Sequence, residues 1–93
     1  MCLYTVGRVK NPKLTLLGQQ IRRLREDKGY SQEEFAAFAE IDRAYFGGIE
    51  RGERNVATIN LIKIAEALKV EVGMLFPSLS AFRRNMKGDG HGR

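Results

Sequence analysis

Several residue types that mark particular classes of protein are scarce in this chain of 93 residues. Its one cysteine, Cys2, excludes an intramolecular disulfide framework, so a cytoplasmic location is the simplest interpretation. No apolar run approaches the length of a membrane span, and the first ten residues lack the apolar centre of a signal peptide. The one histidine, His91, has no neighbouring ligands, and the sequence has no nucleophile paired with a base and no glycine-rich phosphate loop. We therefore expect no metal, no cofactor and no enzymatic activity.

The remaining composition is that of an ordinary folded protein, with 43% hydrophobic residues and two prolines. A chain of this length supports one small domain. Its formal net charge of +5 suits a polyanionic partner, but the charge is unevenly distributed. Residues 1–30 and 78–93 are basic, whereas residues 31–77 carry more acidic than basic side chains. Binding to DNA would thus depend on a few contacts near one helix and on the terminal segments.

Residues 31–52, with the sequence SQEEFAAFAEIDRAYFGGIERG, predict two short helices separated by a tight turn. Ser31 and Glu34 form a capping box for the first helix, and Asp42 is placed to cap the second. The apolar positions change direction between the two helices, as a large crossing angle requires; they are Phe35, Ala36, Ala39, Ile41, Phe46 and Ile49. The second helix is the candidate DNA-reading helix.

Helical periodicity predicts a compact all-α domain of five helices over residues 14–77. Besides the two helices above, the predicted helices cover residues 15–28, 58–68 and 72–76. The first has a buried stripe of Leu17, Ile21 and Leu24, and Thr58 is expected to cap the fourth.

The two ends are expected to lie outside this domain. Residues 1–13 predict a flexible basic arm, with phosphate contacts or strand pairing across a dimer as alternatives to a disordered tail. Residues 78–93 predict an extension that is partly helical and then disordered. Its short sixth helix would begin at a cap provided by Ser78, and its apolar side chains need to fold back or meet a partner.

Three motifs at fixed spacing carry a family resemblance: SQEEFA, DRAYFGGIERGERN and LIKIAEAL. This combination resembles the XRE family, the helix-turn-helix regulators of the Cro and phage-repressor type, over residues 14–76. The pattern DRxYxxxIERGxRN is especially similar to the small controller proteins of restriction-modification systems. The resemblance implies a Cro-like fold and a homodimer that binds double-stranded DNA at an inverted-repeat operator to regulate transcription.

The resemblance also implies roles for individual residues. Base edges would be contacted from the outward positions of the second helix of the motif, which are Arg43, Ala44, Gly47 and Gly48. Phosphates would be bound by Gln32, Tyr45, Arg51, Arg54 and Asn55, with an exposed helix start as the alternative for Gln32 and partial packing as the alternative for Tyr45. A partly buried ion pair between Arg25 and Glu50 would fix the angle of the reading helix.

Four positions make up three departures from the family pattern. Glu40 stands where the turn usually has glycine, so a left-handed backbone there would cost about 1 kcal/mol. Gly47 and Gly48 replace side chains that would otherwise read bases. Phe38 stands at a usually polar position, where it is either an extra core contact or an exposed apolar residue, and we favour the core.

The partner of the domain is open to two interpretations. A homodimer would use the fifth helix and the residues after it, namely Met74, Leu75, Leu79 and Phe82, and RNA polymerase is a further candidate partner. The alternative is a protein-interaction module or antitoxin whose main partner is another protein, which the acidic body and the glycines of the reading helix keep open.

Overall fold

A computed structural model of the chain describes residues 11–87. This part of the chain is helical and contains five α-helices and one 3₁₀ helix. They are α1 (Pro12–Asp27), α2 (Gln32–Ala39), α3 (Arg43–Glu50), α4 (Thr58–Leu68), the 3₁₀ helix (Val72–Leu75) and α5 (Leu79–Lys87). The predicted all-α fold is thus confirmed, whereas most of the predicted N-terminal arm and the end of the C-terminal extension lie outside the described residues.

Helix α1 begins three residues earlier than the apolar periodicity predicts. The side chain of Asn11 accepts a hydrogen bond from the Lys13 amide at 2.9 Å, and Pro12 occupies the first helical position. Proline suits that position because its missing N–H would have no partner there anyway. The helix ends at Asp27, two residues before Gly29, whose φ of 86° is the left-handed conformation that glycine adopts without strain.

The core lies where α1, α2, α3 and α4 meet, and the rings of Phe35 and Phe46 pack in it with centroids 5.2 Å apart. Leu17 and Ile21 of the predicted stripe are buried, and Leu24 packs against the core at its edge. Gly18 permits the close approach of α1 to α3, because a Cβ atom at this position would clash with the backbone carbonyl groups of Ile49 and Glu50. Helix α1 therefore supports the reading helix along its backbone.

Helix α4 and the 3₁₀ helix differ in detail from the predictions. The expected cap on α4 is wrong: Ala57 is the N-cap residue, and Thr58 is the first residue of the helix without a side-chain capping bond. The predicted fifth helix is a single 3₁₀ turn, in which Leu75 is fully buried. Leu75 completes the core against α1 and α4, which corrects the expectation that it contributes to a dimer surface.

Helix α5 packs against α1 and confirms the helix expected after Pro77. The Ser78 hydroxyl caps it by accepting a hydrogen bond from the Ala81 amide at 3.2 Å. None of the helices in residues 11–87 has the length and apolar character that crossing a membrane requires.

Candidate nucleic-acid interface

The turn between α2 and α3 is built from local hydrogen bonds. The capping box of α2 is complete, because the Ser31 hydroxyl accepts from the Glu34 amide at 3.0 Å and the Glu34 carboxylate accepts from the Ser31 amide at 2.9 Å. Glu40 ends α2 in the left-handed conformation, with φ 61° and ψ 46°. The Asp42 carboxylate then caps α3 by accepting from the Tyr45 amide at 2.9 Å. The turn thus adopts a left-handed backbone at Glu40 although this residue is not glycine.

We expect Glu40→Gly to raise the free energy of unfolding by up to about 1 kcal/mol, since glycine adopts this left-handed conformation without the steric cost that a Cβ atom brings. Urea denaturation monitored by circular dichroism measures the change. The matched control is Ala37→Gly at an exposed position inside α2, which should destabilise by about 1 kcal/mol because glycine is a poor helix former. If Glu40→Gly destabilised the domain as much as Ala37→Gly does, the left-handed backbone at Glu40 would not carry the expected steric cost.

A buried ion pair joins α1 to α3. The guanidinium group of Arg25 donates from Nε to one carboxylate oxygen of Glu50 at 2.7 Å and from its terminal nitrogen to the other at 3.1 Å. Arg25 also donates to the backbone carbonyl of Tyr30 at 2.8 Å. Both side chains are shielded from water, with a relative exposure of 7% for each residue. The expected ion pair is present, and its bidentate geometry fixes α3 in both position and angle.

Gln32 extends this network to α2. Its amide group donates to Glu50 at 2.9 Å, so the Glu50 carboxylate accepts hydrogen bonds from both α1 and α2. The side chain is half-buried rather than the freely exposed helix start that was the alternative. The carboxylates of Glu33 and Glu34 lie in the same first turn of α2. Their negative charges interact favourably with the helix dipole, but they repel a second anion such as a phosphate at this site. The phosphate contact of Gln32 stays a prediction, while its role in positioning α3 is visible.

The start of α3 presents Arg43 and Ala44 to solvent, as base contacts require. Tyr45, the next residue, is half-buried and packs against the core. Its hydroxyl accepts a hydrogen bond from the Asn60 side chain at 3.3 Å and still has its own proton to donate. The partial packing considered for Tyr45 is therefore present, and its phosphate contact stays a prediction that the free hydroxyl proton allows.

Gly47 and Gly48 are buried, which corrects the expectation that these outward positions are open at the surface. A Cβ atom on Gly47 would lie 3.1 Å from a terminal nitrogen of Arg51 and 3.3 Å from the amide oxygen of Gln32. A Cβ atom on Gly48 would lie 2.9 Å from Cγ of Arg54. The long side chains of the following loop thus lie over the glycines, and the surface of α3 carries arginine groups instead of bare backbone.

The loop after α3 supplies the other candidate phosphate ligands. Arg51, Arg54 and Asn55 are exposed, as expected for contacts to DNA. Nε of Arg51 lies 3.2 Å from the Glu53 carboxylate, which partly neutralises Arg51, whereas the Arg54 guanidinium carbon lies 5.9 Å from the centre of the Tyr45 ring. Arg43, Arg51 and Arg54 therefore give α3 and its loop a basic, donor-rich surface within an otherwise mildly acidic body.

In a comparison with known protein families, the helix-turn-helix family model matches residues 21–75 of this chain. The chain belongs to the helix-turn-helix family of XRE type. It is similar to control protein C.MunI of a Mycoplasma species, with 41% identity over 63 residues that cover 67% of this chain and 85% of that protein.

Solved structures of helix-turn-helix controllers share the fold. The restriction-modification controller C.AhdI from Aeromonas hydrophila has a TM-score of 0.70 and 47% identity, covering 71% of this chain and all of that one. A point mutant of the controller C.Esp1396I, bound to its highest affinity operator site, has a TM-score of 0.64 and 26% identity, covering 83% of this chain and 97% of that one. The resemblance to XRE-type controllers expected from the motifs is confirmed.

Two further features of this helix-turn-helix domain differ from what its sequence predicted. Phe38 is 56% exposed and stacks on Tyr30 with ring centroids 5.7 Å apart, so the expectation that it joins the core is wrong. Asn60 positions the Tyr45 hydroxyl from α4, a role that sequence reasoning missed. The available signal was an uncharged polar residue in the largely apolar run INLIKIA.

The residues expected at a dimer surface fall into three groups. Met74 and Leu79 are exposed, at 50% and 67%, and are available to a partner. Phe82 is half-buried, and Leu75 is part of the core.

Among the described residues, no group of three or more histidine, cysteine or acidic side chains could hold a metal ion.

Proposed function

We propose that this chain is a sequence-specific DNA-binding transcriptional regulator that acts as a homodimer on an inverted-repeat operator, in the manner of a restriction-modification controller. The observation that carries the proposal is the exposed start of α3, held at a fixed angle by the buried ion pair of Arg25 with Glu50 and by the partly buried hydrogen bond from Gln32 to Glu50. A reading helix needs such a rigid support because base contacts depend on its exact depth and angle in the major groove. Similarity to C.MunI and to the operator-bound C.Esp1396I supports DNA as the ligand.

The roles proposed at the interface follow from the chemistry of its exposed groups. Arg43 has the paired donors that match guanine O6 and N7, and Ala44 offers a methyl group to thymine. The phosphate contacts are assigned to Gln32, Tyr45, Arg51, Arg54 and Asn55, which provide N–H and O–H donors around the reading helix. Of the two loop arginines, Arg54 contributes more to affinity, because Arg51 already pairs with Glu53.

The homodimer is proposed from the exposed apolar residues between the end of α4 and the start of α5. Met74 and Leu79 lie in this segment with Val72 and Phe76, which are 38% and 41% exposed, so the segment exposes four apolar side chains that a partner could bury. Pairing two copies would place two reading helices in successive major grooves, about 34 Å apart.

RNA polymerase is the partner proposed for activation. The cytoplasm is the proposed location because the ligand is genomic DNA.

The test of DNA recognition is a comparison of selected and random DNA. We expect selection from random sequences to return a half-site and its spacing, and titration at several salt concentrations to show a preference of at least about 10³ for the selected site. The logarithm of the affinity should fall linearly with the logarithm of salt concentration, because phosphate contacts release counterions. Weak, sequence-blind binding would instead favour the protein-interaction module or antitoxin.

Association is tested by analytical ultracentrifugation at micromolar concentration with and without operator DNA. We expect a dimer for the unmodified chain and a shift towards monomer for Leu79→Asp, because a charge in an apolar contact loses its hydration. The matched control is Ile59→Asp on α4, which is also exposed, at 65%, but lies before the proposed segment. A monomer under every condition, or an equal effect of both changes, would reject the proposed surface.

A further inference from the structure

We propose that Gly48 is a positioning residue for DNA binding, because the absence of a side chain there leaves space in which Arg54 lies across α3. This space above Gly48 is called the seat of Arg54. The inference rests on the proposed function, since the ligand of Arg54 is taken to be a DNA phosphate. It assigns to a glycine of the reading helix a task other than close approach to bases.

The first observation is the space above Gly48. Three atoms of Arg54 surround the position that a Cβ atom would occupy, with Cγ at 2.9 Å, Nε at 3.4 Å and Cδ at 3.7 Å. A distance below 3.0 Å is not tolerated by a real Cβ atom, so any side chain here would displace the middle of the Arg54 side chain. The backbone of Gly48 is helical, and alanine could adopt it without strain. Steric space for Arg54, not backbone conformation, is therefore what glycine provides.

The second observation is the group that holds the other end of Arg54. Its guanidinium carbon lies 5.9 Å from the centre of the Tyr45 ring, within the range of a cation-π interaction. Tyr45 cannot easily move away, because its ring packs on the core and its hydroxyl accepts a hydrogen bond from Asn60. Gly48 and Tyr45 thus fix the stem and the head of Arg54 on the same helix.

Fixing Arg54 in this way favours binding through conformational entropy. A free surface arginine has many rotamers, and ordering such a side chain on a ligand reduces the affinity. Arg54 is exposed, yet it is already held along α3 in the structure without DNA. The guanidinium group is therefore presented to DNA with much of that cost already met by the fold.

Gly47 provides the matched comparison within the same helix. A Cβ atom there would meet only the ends of two long side chains, Arg51 at 3.1 Å and Gln32 at 3.3 Å. These contacts need an adjustment of only a few tenths of an ångström, after which Arg51 can keep its ion pair with Glu53 and Gln32 its hydrogen bond to Glu50. Gly47→Ala should therefore disturb binding less than Gly48→Ala, although both add one methyl group to α3.

The test is a double-mutant cycle of Gly48→Ala and Arg54→Ala, with the operator affinity of the full chain as the readout. We expect Gly48→Ala to weaken binding by about three- to tenfold in the presence of Arg54 and to have little effect in its absence. The thermal stability of Gly48→Ala should equal or exceed that of the unmodified chain, since alanine has a higher helix propensity than glycine. A loss of affinity would therefore not reflect unfolding. The inference would be overturned if the affinity losses of the two single variants multiplied in the double variant, or if Gly48→Ala left the affinity unchanged.

A measurement without DNA separates this inference from the proposed function. In the free protein the Tyr45 ring current should shift the NMR signals of the Arg54 side chain, and Gly48→Ala should return them towards random-coil values while Gly47→Ala leaves them shifted. Unshifted Arg54 signals in the unmodified chain would overturn the seat even if operator binding is normal. If the unmodified chain shows the shift but no site preference, the proposed function fails together with the role of the seat in DNA binding, while the seat itself stands.

Discussion

Arg25→Ala should lower the free energy of unfolding by about 3 to 5 kcal/mol, the range expected when one partner of a buried ion pair is removed. The substitution leaves the Glu50 carboxylate buried with only the Gln32 amide as hydrogen-bond donor from the network. It also frees the Tyr30 carbonyl, which Arg25 binds at 2.8 Å. Urea denaturation measures the loss, which is large relative to the stability of a small domain.

The matched control for Arg25 is Arg22 on the same helix. Arg22 donates to Glu26 at 3.0 Å on the exposed face of α1, and this hydrogen bond, together with the charge of Glu26, raises the pKa of Arg22. The pair is exposed to solvent, so Arg22→Ala should leave the urea midpoint almost unchanged. Similar losses for both variants would show that the buried network does not hold α1 to α3.

Arg43→Ala should cost about 1 to 3 kcal/mol of operator binding and abolish the preference at one base pair of each half-site. The reason is geometric, since Arg43 is the exposed residue at the first position of α3 that can donate two hydrogen bonds to one guanine. The measurement is a set of titrations with operators that carry each single base-pair change. A loss that is uniform over all these sequences would instead make Arg43 a phosphate contact.

Two further variants sharpen the assignment of Arg43. Arg43→Lys keeps the charge but loses the planar pair of donors, so it should keep the salt dependence and lose discrimination at the same base pair. Arg23→Ala removes another exposed arginine, which lies on α1 and donates to Gln20 at 2.8 Å, and should leave site preference intact. Base pairs outside the reach of Arg43 and Ala44 should still affect affinity, because groove shape and deformability supply the remaining specificity.

The elements that the sequence predicted correctly depend on residues close to one another in the chain. The capping box of Ser31 and Glu34, the Asp42 cap and the end of α1 near Gly29 involve positions within a few residues, where propensity and hydrogen bonding act directly. The apolar spacing of α1 and of the two motif helices likewise reflects helix geometry. The pairing of Arg25 with Glu50 spans 25 positions and was expected only from the family resemblance.

The tertiary structure decided which surfaces these elements cover. Leu75 is buried and Phe38 exposed because the packing of α1, α2 and α4 determines which apolar positions face the core. Gly47 and Gly48 face outward on an isolated helix, yet the side chains of Arg51 and Arg54 lie over them. Helix periodicity records the direction of a position but not what the rest of the chain places above it. The sequence by itself therefore determined a helix-turn-helix domain, while its binding surface was decided by side chains that meet only through packing.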